Sequence, residues 1–273
     1  MTVSRVFAVL SLGFALISAP ASFAQTIDIG VPIDTTCTAT SSTLEADTAA
    51  MDAALAAAQA RGYSGLSQHI NSLRAVADHA PSCYPEVRAN GSAIIIRSES
   101  PQEYSALSLA LLTAAAARGE VTTVEAERNV YPIALLYLGS HAVEFQRYDD
   151  AHRYLDRGLA LQPDNQYFLL EKGAALGGQH RFAEAAELFQ AMLDNPALSL
   201  TLDRARAYRS LGVALIDVPD RLDDAEAALR QSLTLEPGNQ LAQSELQYIA
   251  QLRAGARQRP FELNAPMSER SNH

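Results

Sequence analysis

The chain has 273 residues, with 31 acidic against 21 basic side chains, a formal charge of −10 and only two cysteines. That balance argues against nucleic acid and anionic membrane surfaces as partners, because both repel an acidic chain at long range. The two cysteines are too few to make a disulfide-rich scaffold, so an apolar core has to carry the fold.

Residues 1–24 read as a secretory signal peptide. Arg5 supplies the positive charge, residues 6–18 form a short apolar run, and Pro20 breaks it before the small residues Ser22 and Ala24. The run is shorter than the ~20 residues that span a bilayer, and no later stretch is longer and as apolar, so membrane insertion is not expected. Cleavage leaves Gln25 at the N-terminus and, with Arg5 gone, a formal charge of −11. Arginine supplies every basic residue except Lys172, the habit of a GC-rich bacterial genome, and export then points to the periplasm of a Gram-negative cell. Cys37 and Cys83 both come after the leader, and an oxidising compartment pairs them. Closing that loop contributes about 4 kcal/mol in the chain-entropy picture. A catalytic or metal-binding thiol is the alternative, but neither cysteine sits in a Cys-x-x-Cys or beside a histidine.

Residues 25–100 divide into an arm and a helical hairpin. The arm, 25–43, is rich in Thr, Pro and Ser and lacks helical spacing. Residues 44–61 place Met51, Leu55 and Ala58 on one stripe and stop at Gly62. Residues 64–79 carry Leu66, Ile70, Leu73 and Val76 at helical spacing and are ended by Pro81. The cysteines bracket this hairpin, whose own core is too small to stand alone. Asn90-Gly91 marks a turn, and the β-branched run at 94–96 reads as a buried connector, since no second strand is visible to pair with it. Residues 101–130 are expected to be a helical connector opened by Ser100-Pro101, with a degenerate repeat as the alternative.

Clear repeats fill residues 131–238. Leu138-Gly139, Ala151, Leu155 and Pro163 return as Gly173, Ala185, Phe189 and Pro196, then as Leu211-Gly212, Ala225, Leu229 and Pro237. Glycine costs about 1 kcal/mol in a helix interior, so its recurrence points to places where a partner helix crosses too close for a side chain. The alanines are the small counterparts on the second helix, and the bulky residue four positions on shares their face and is expected to fill the space between repeats. Proline lacks an amide hydrogen and ends each pair. Tyr148, Phe182 and Leu222 open the second helices. The pattern resembles the tetratricopeptide repeat (TPR), a helix–turn–helix unit of about 34 residues. Departures are Leu135, Leu169 and Tyr208 where the family pattern carries a tryptophan near the start of the first helix, Lys172 before the second glycine, and additional loop residues at 197–201. Residues 239–254 then read as a capping helix with Gln243, Gln247 and Gln251 as a polar stripe and Leu246 and Ala250 turned inward. The last segment, 255–273, reads as a disordered tail. The expected fold is therefore all-α: a right-handed solenoid of three repeats with a C-terminal cap, preceded by a disulfide-tied helical region.

No catalytic pattern emerges. Gly62-Tyr63-Ser64-Gly65 lacks the strand and the second glycine of a nucleophile elbow, there is no phosphate loop or His-Glu-x-x-His, and His141 with His152 falls short of a ligand set. No cofactor or metal is expected. What the resemblance implies is a concave face lined by first helices, here Ile133, Leu136, Ser140, Val143 and Glu144, then Tyr167, Leu170, Ala174 and Gly178, then Arg206, Arg209, Val213 and Asp217. The family's carboxylate clamp uses a Lys and an Asn where Leu136 and Ser140 stand, so recognition of a free peptide C-terminus in that mode is not implied. The reading is a periplasmic adaptor or scaffold binding a protein or peptide in an envelope or secretion assembly. The alternatives are an enzyme or enzyme subunit with its site in the N-terminal helices, and self-association through the repeats.

Overall fold

The computed structural model describes residues 31–39 and 41–258; the leader expected at 1–24 and most of the tail expected at 255–273 lie outside them. In chain order the elements are α1 (Leu44–Ser67), α2 (Ile70–Asp78), β1 (Val87–Asn90), β2 (Ala93–Ile96), α3 (Pro101–Ala117), β3 (Thr123–Ala126), α4 (Val130–Glu144), α5 (Tyr148–Leu161), α6 (Gln166–Gly178), α7 (Phe182–Asp194), α8 (Arg204–Ile216), α9 (Leu222–Leu235) and α10 (Gln240–Arg253).

Helices α4 to α9 pair as a TPR-type solenoid, and the repeating glycines show why. A Cβ at Gly139 would lie 2.5 Å from Leu155, one at Gly173 2.2 Å from Phe189, and one at Gly212 2.6 Å from Leu229. Each bulky residue of a second helix is thus seated in the notch of its own repeat's first helix. The expectation that these side chains fill the space between repeats is corrected accordingly. That space is used by Phe168 of α6, which lies against Gly158 of α5, where a Cβ would meet the ring at 2.1 Å. Asn165, Asp203 and Asn239 cap α6, α8 and α10 through their side-chain oxygens, satisfying amide groups that a helix start leaves free. Between α7 and α8 the additional residues form a short 3₁₀ turn at Pro196–Leu198, with Leu198 fully buried beneath it.

The cap differs in detail from its sequence pattern. Gln243, Gln247 and Gln251 are exposed, but Ala242, Tyr248 and Ile249 do the burying, while Leu246 is half-buried and Ala250 is exposed.

At the other end, α1 and α2 stand where a preceding repeat would. Met51, Ala54, Leu66, Leu73 and Val76 share one apolar cluster with Tyr131, Leu135, Leu138 and Leu155. Arg74 donates to the Tyr154 hydroxyl at 3.0 Å and Arg157 to the Ala77 carbonyl at 2.9 Å. Helix α1 breaks at Gly62, whose φ of +58° is a left-handed turn that glycine reaches without a Cβ clash. Cys37 and Cys83 are bonded to each other across the foot of this hairpin.

Residues 87–126 correct the connector reading. Asn90-Gly91 turns β1 back on β2 as an antiparallel pair, and β3, far downstream, joins β2 in parallel. The segment at 120–129 is thus a strand and its flanks, and the unit preceding the repeats in space is the α1–α2 hairpin, with the β1–β3 module inserted between hairpin and array. Helix α3 covers the sheet through Leu107 and Leu111, packed with Val87, Ile94 and Ile96. Its start is fixed by Ser100, which accepts from the Glu103 amide at 3.1 Å.

Candidate functional site: the concave face

The first helices α4, α6 and α8 present one side each to a shared concavity, and two further pieces wall it. Past the Gly62 break, Tyr63 lies against Ser140, Glu144, Tyr137 and Glu171. The start of α3 in the inserted module places Ser100 and Glu103 against Tyr167.

Of the residues carried over by the repeat alignment, Ile133, Leu136, Ser140, Glu144, Tyr167, Ala174, Gly178 and Val213 keep part of their surface open. Val143 and Leu170 do not: both lie in the core, at 6% and 4% exposure. Arg206 remains 43% exposed but faces Glu171 at 3.8 Å. Arg209 is engaged with Glu236 at 2.9 Å. The arginine end of the groove is therefore already neutralised from within the chain. Asp217 closes α8 and accepts from the side chain of Gln258. Burial raises the Asp217 carboxyl, and Gln258 and His180 oppose the rise.

Three groove residues escaped the sequence reading: Tyr63, Tyr137 and Glu171. Tyr137 and Glu171 occupy the same place in their repeats, two before the glycine, so the repeat register held the signal for both. Burial, with Glu171 and Glu144 nearby, pushes the Tyr63 hydroxyl up to about 12. Burial likewise raises the Glu171 carboxyl, against the pull of Arg206 and the Ser140 hydroxyl. One oxygen of Glu144, Oε1, is shut off from solvent and receives no hydrogen bond among the described residues. A buried acceptor left in that state is costly, about 1–3 kcal/mol.

The histidines do not form a pair. Arg147 donates to His141 Nδ1 at 2.9 Å, which leaves Nε2–H to donate to Ser67 Oγ at 2.7 Å. Burial, with Arg147 and Arg74 close by, holds the imidazole down at about 4. His152 bonds Gln179 at 3.0 Å instead. Among the described residues, no three His, Cys, Asp or Glu side chains are grouped to hold a metal, and no helix is long and apolar enough to cross a membrane.

A second polar assembly ties the inserted module to the array. Asn129 donates to Glu99 at 2.8 Å and exchanges hydrogen bonds with Gln162, Asn165 donates to Gln162 at 2.9 Å, and Gln166 reaches Glu103 at 2.8 Å. All four amide residues are at least nine-tenths buried. Burial, then the neighbouring carboxylates Glu103, Glu99 and Asp164, push Glu86 up to about 8. Glu99 rises to about 7, chiefly through burial.

No protein-family model and no curated protein matches the sequence. Among solved structures, the first TPR domain of human RPAP3 is 26% identical, with a TM-score of 0.40, over 45% of this chain and 93% of that one. The Sgt2 TPR domain from Aspergillus fumigatus is 19% identical, TM-score 0.39, over 51% and 93%. MamA AMB-1 is 19% identical, TM-score 0.36, over 70% and 99%.

Proposed function

Taking the array as a TPR-type solenoid with an accessible inner face, we propose that the protein is an exported adaptor holding a segment of another protein in its concave groove. The observation that carries this reading is the set of partly open apolar and aromatic side chains on that face, Ile133, Leu136, Tyr137, Tyr167 and Val213. Apolar and aromatic anchors in a groove give a partner buried area, and repeat packing holds them in fixed relation. Export to the periplasm is supported by the leader pattern and by the bonded Cys37–Cys83 pair, which suits an oxidising compartment. An envelope or secretion assembly is the setting we infer, because a repeat scaffold there has folded partners to join.

The test is co-purification from envelope extracts with the full chain and with Leu136→Asp and Tyr137→Ala. Loss of the same partner in both variants, with melting unchanged, is the expected result. A partner retained by both would place binding elsewhere and return attention to the α1–α2 hairpin and the inserted module.

A further inference from the structure

The concave face has one carboxylate oxygen in want of a donor, and the chain supplies a candidate. Glu144 Oε1 is buried without a donor among the described residues, whereas Glu171 already has Arg206 at 3.8 Å and the Ser140 hydroxyl. After α10 the backbone turns back at Gly255, with φ +90°, and Gln258 hydrogen-bonds Asp217. Asp217, Gly178 and Glu144 mark the same end of three successive first helices, α8, α6 and α4. The last described residue therefore stands at one mouth of the groove. Packed helices lie about 10 Å apart, so Glu144 is about 20 Å further along, while residues 259–273 reach up to about 50 Å when extended.

Beyond Gln258 the chain continues with Arg259, Pro260, Phe261, Glu262 and Leu263, then Met267 and Arg270. In an extended chain Arg259, Phe261 and Leu263 turn to one side, giving one basic and two apolar side chains in a row. We propose that the concave groove is a docking site for the chain's own C-terminal segment, residues 259–273. In this arrangement Phe261 and Leu263 would meet the lining around Ala174 and Leu136, and the arginines would bring donors and positive charge to Glu144. Arginine suits this place because its planar head pairs with a carboxylate and stacks on rings such as Tyr63 and Tyr137. An outside partner then competes with the tail, and its apparent affinity falls by the fraction of time the groove is covered.

The inference rests on the groove being a binding surface, and the experiment separates the two. Phe261→benzoylphenylalanine in the full chain, irradiated at low protein concentration, is expected to crosslink within one chain to peptides of α4 or α6. Crosslinks confined to other elements, or formed only between chains, overturn it. In parallel, a random dodecapeptide display library is panned on the full chain and on Phe261→Asp with Leu263→Asp. A gain of about tenfold or more in recovery for the doubly substituted chain is expected, reversed by Leu136→Asp. Equal recovery on both chains, still sensitive to Leu136→Asp, sinks tail docking and keeps the adaptor reading. Intramolecular crosslinks to α4 or α6 with no library recovery support docking and count against an outside partner. Failure of both arms removes both readings.

Discussion

In the array, Leu155, Phe189 and Leu229 each fill a notch made by a glycine of the facing helix, and nothing polar is needed to set the register. Where the module between the α1–α2 hairpin and α4 seats on the array, register is set by Asn129, Gln162, Asn165 and Gln166, buried amides meeting the module's carboxylates Glu99 and Glu103. One region is specified by shape, repeated until it is redundant. The other is specified once, by hydrogen bonds that have no substitute if broken. Shape complementarity tolerates pH and salt; a buried carboxylate cluster does not. The array is therefore the scaffold, and the module is the part whose seating responds to conditions.

The largest break in this contrast comes from the covalent tie. Reduction of Cys37–Cys83, or Cys37→Ser with Cys83→Ser, is expected to cost about 4 kcal/mol, read as a lower melting temperature in both cases. An unchanged melt would mean that the hairpin is held by packing alone. Next, Gly173→Val forces a side chain into the Phe189 ring and is expected to cost about 3 kcal/mol, at the upper end for overpacking. Combining it with Phe189→Ala should recover part of that loss. Failure to recover any would place the clash somewhere other than the notch.

The pH response is expected to be of the next size, and it works on the module. Glu86 and Glu99 are raised to about 8 and about 7 in the folded chain, above an ordinary value of 4.5. Their contribution is present in acid and is lost as pH rises through 7 and 8. His141, held down at about 4, acts oppositely: its contribution is full above about 6.5 and lost as pH falls through 4. Stability should peak in mildly acidic buffer and decline toward pH 8, read as a falling melting temperature. Glu86→Gln with Glu99→Gln should flatten the alkaline side, and a profile unchanged by those substitutions would discard the cluster as its cause. The smallest effect is local: Asp203→Ala removes the cap that accepts from the Arg206 amide at 2.9 Å. It is expected to cost about 1 kcal/mol, seen as faster hydrogen exchange confined to the start of α8.

How much of this the amino-acid order reveals differs between the same two regions. A notch that recurs as Gly, Ala, bulky residue and Pro announces itself by repetition, and the break at Gly62 is marked by the glycine itself. The sheet does not repeat. Its first strand carries Arg88 and Asn90 among only four residues, and the third strand lies beyond a whole helix, so no local window contains both partners of β2. The groove is legible in part. Alignment places Leu136, Ser140 and Tyr167 on it, but misses Tyr137 and Glu171 because it transfers only positions known to touch ligands. It also assigns Arg206 and Arg209 to a partner, since Glu171 and Glu236 claim them only once the helices are folded. Tyr63 comes from outside the repeats, and only the α1 break swings it onto α4.

The disulfide gives the molecule a direction. Residues 37–83 form a closed ring of chain around α1 and α2, and Tyr84, the next residue, is fastened to the Arg128 carbonyl at 2.8 Å. The opposite end has no such stitch: α10 rests on α9, aided by Arg253 reaching Asp223 and Glu226 at the surface. A stack of helix pairs opens from whichever end is weaker and loses its units in order. This one is a zipper sewn at the N-terminal end. Tension or heat strips α10, then α9 and α8, so the Arg206 and Val213 side of the groove is erased while Tyr63, Tyr137 and Glu144 still stand together. The two ends of the same groove therefore have different lifetimes, and a partner gripping the N-terminal half would outlast one gripping the other.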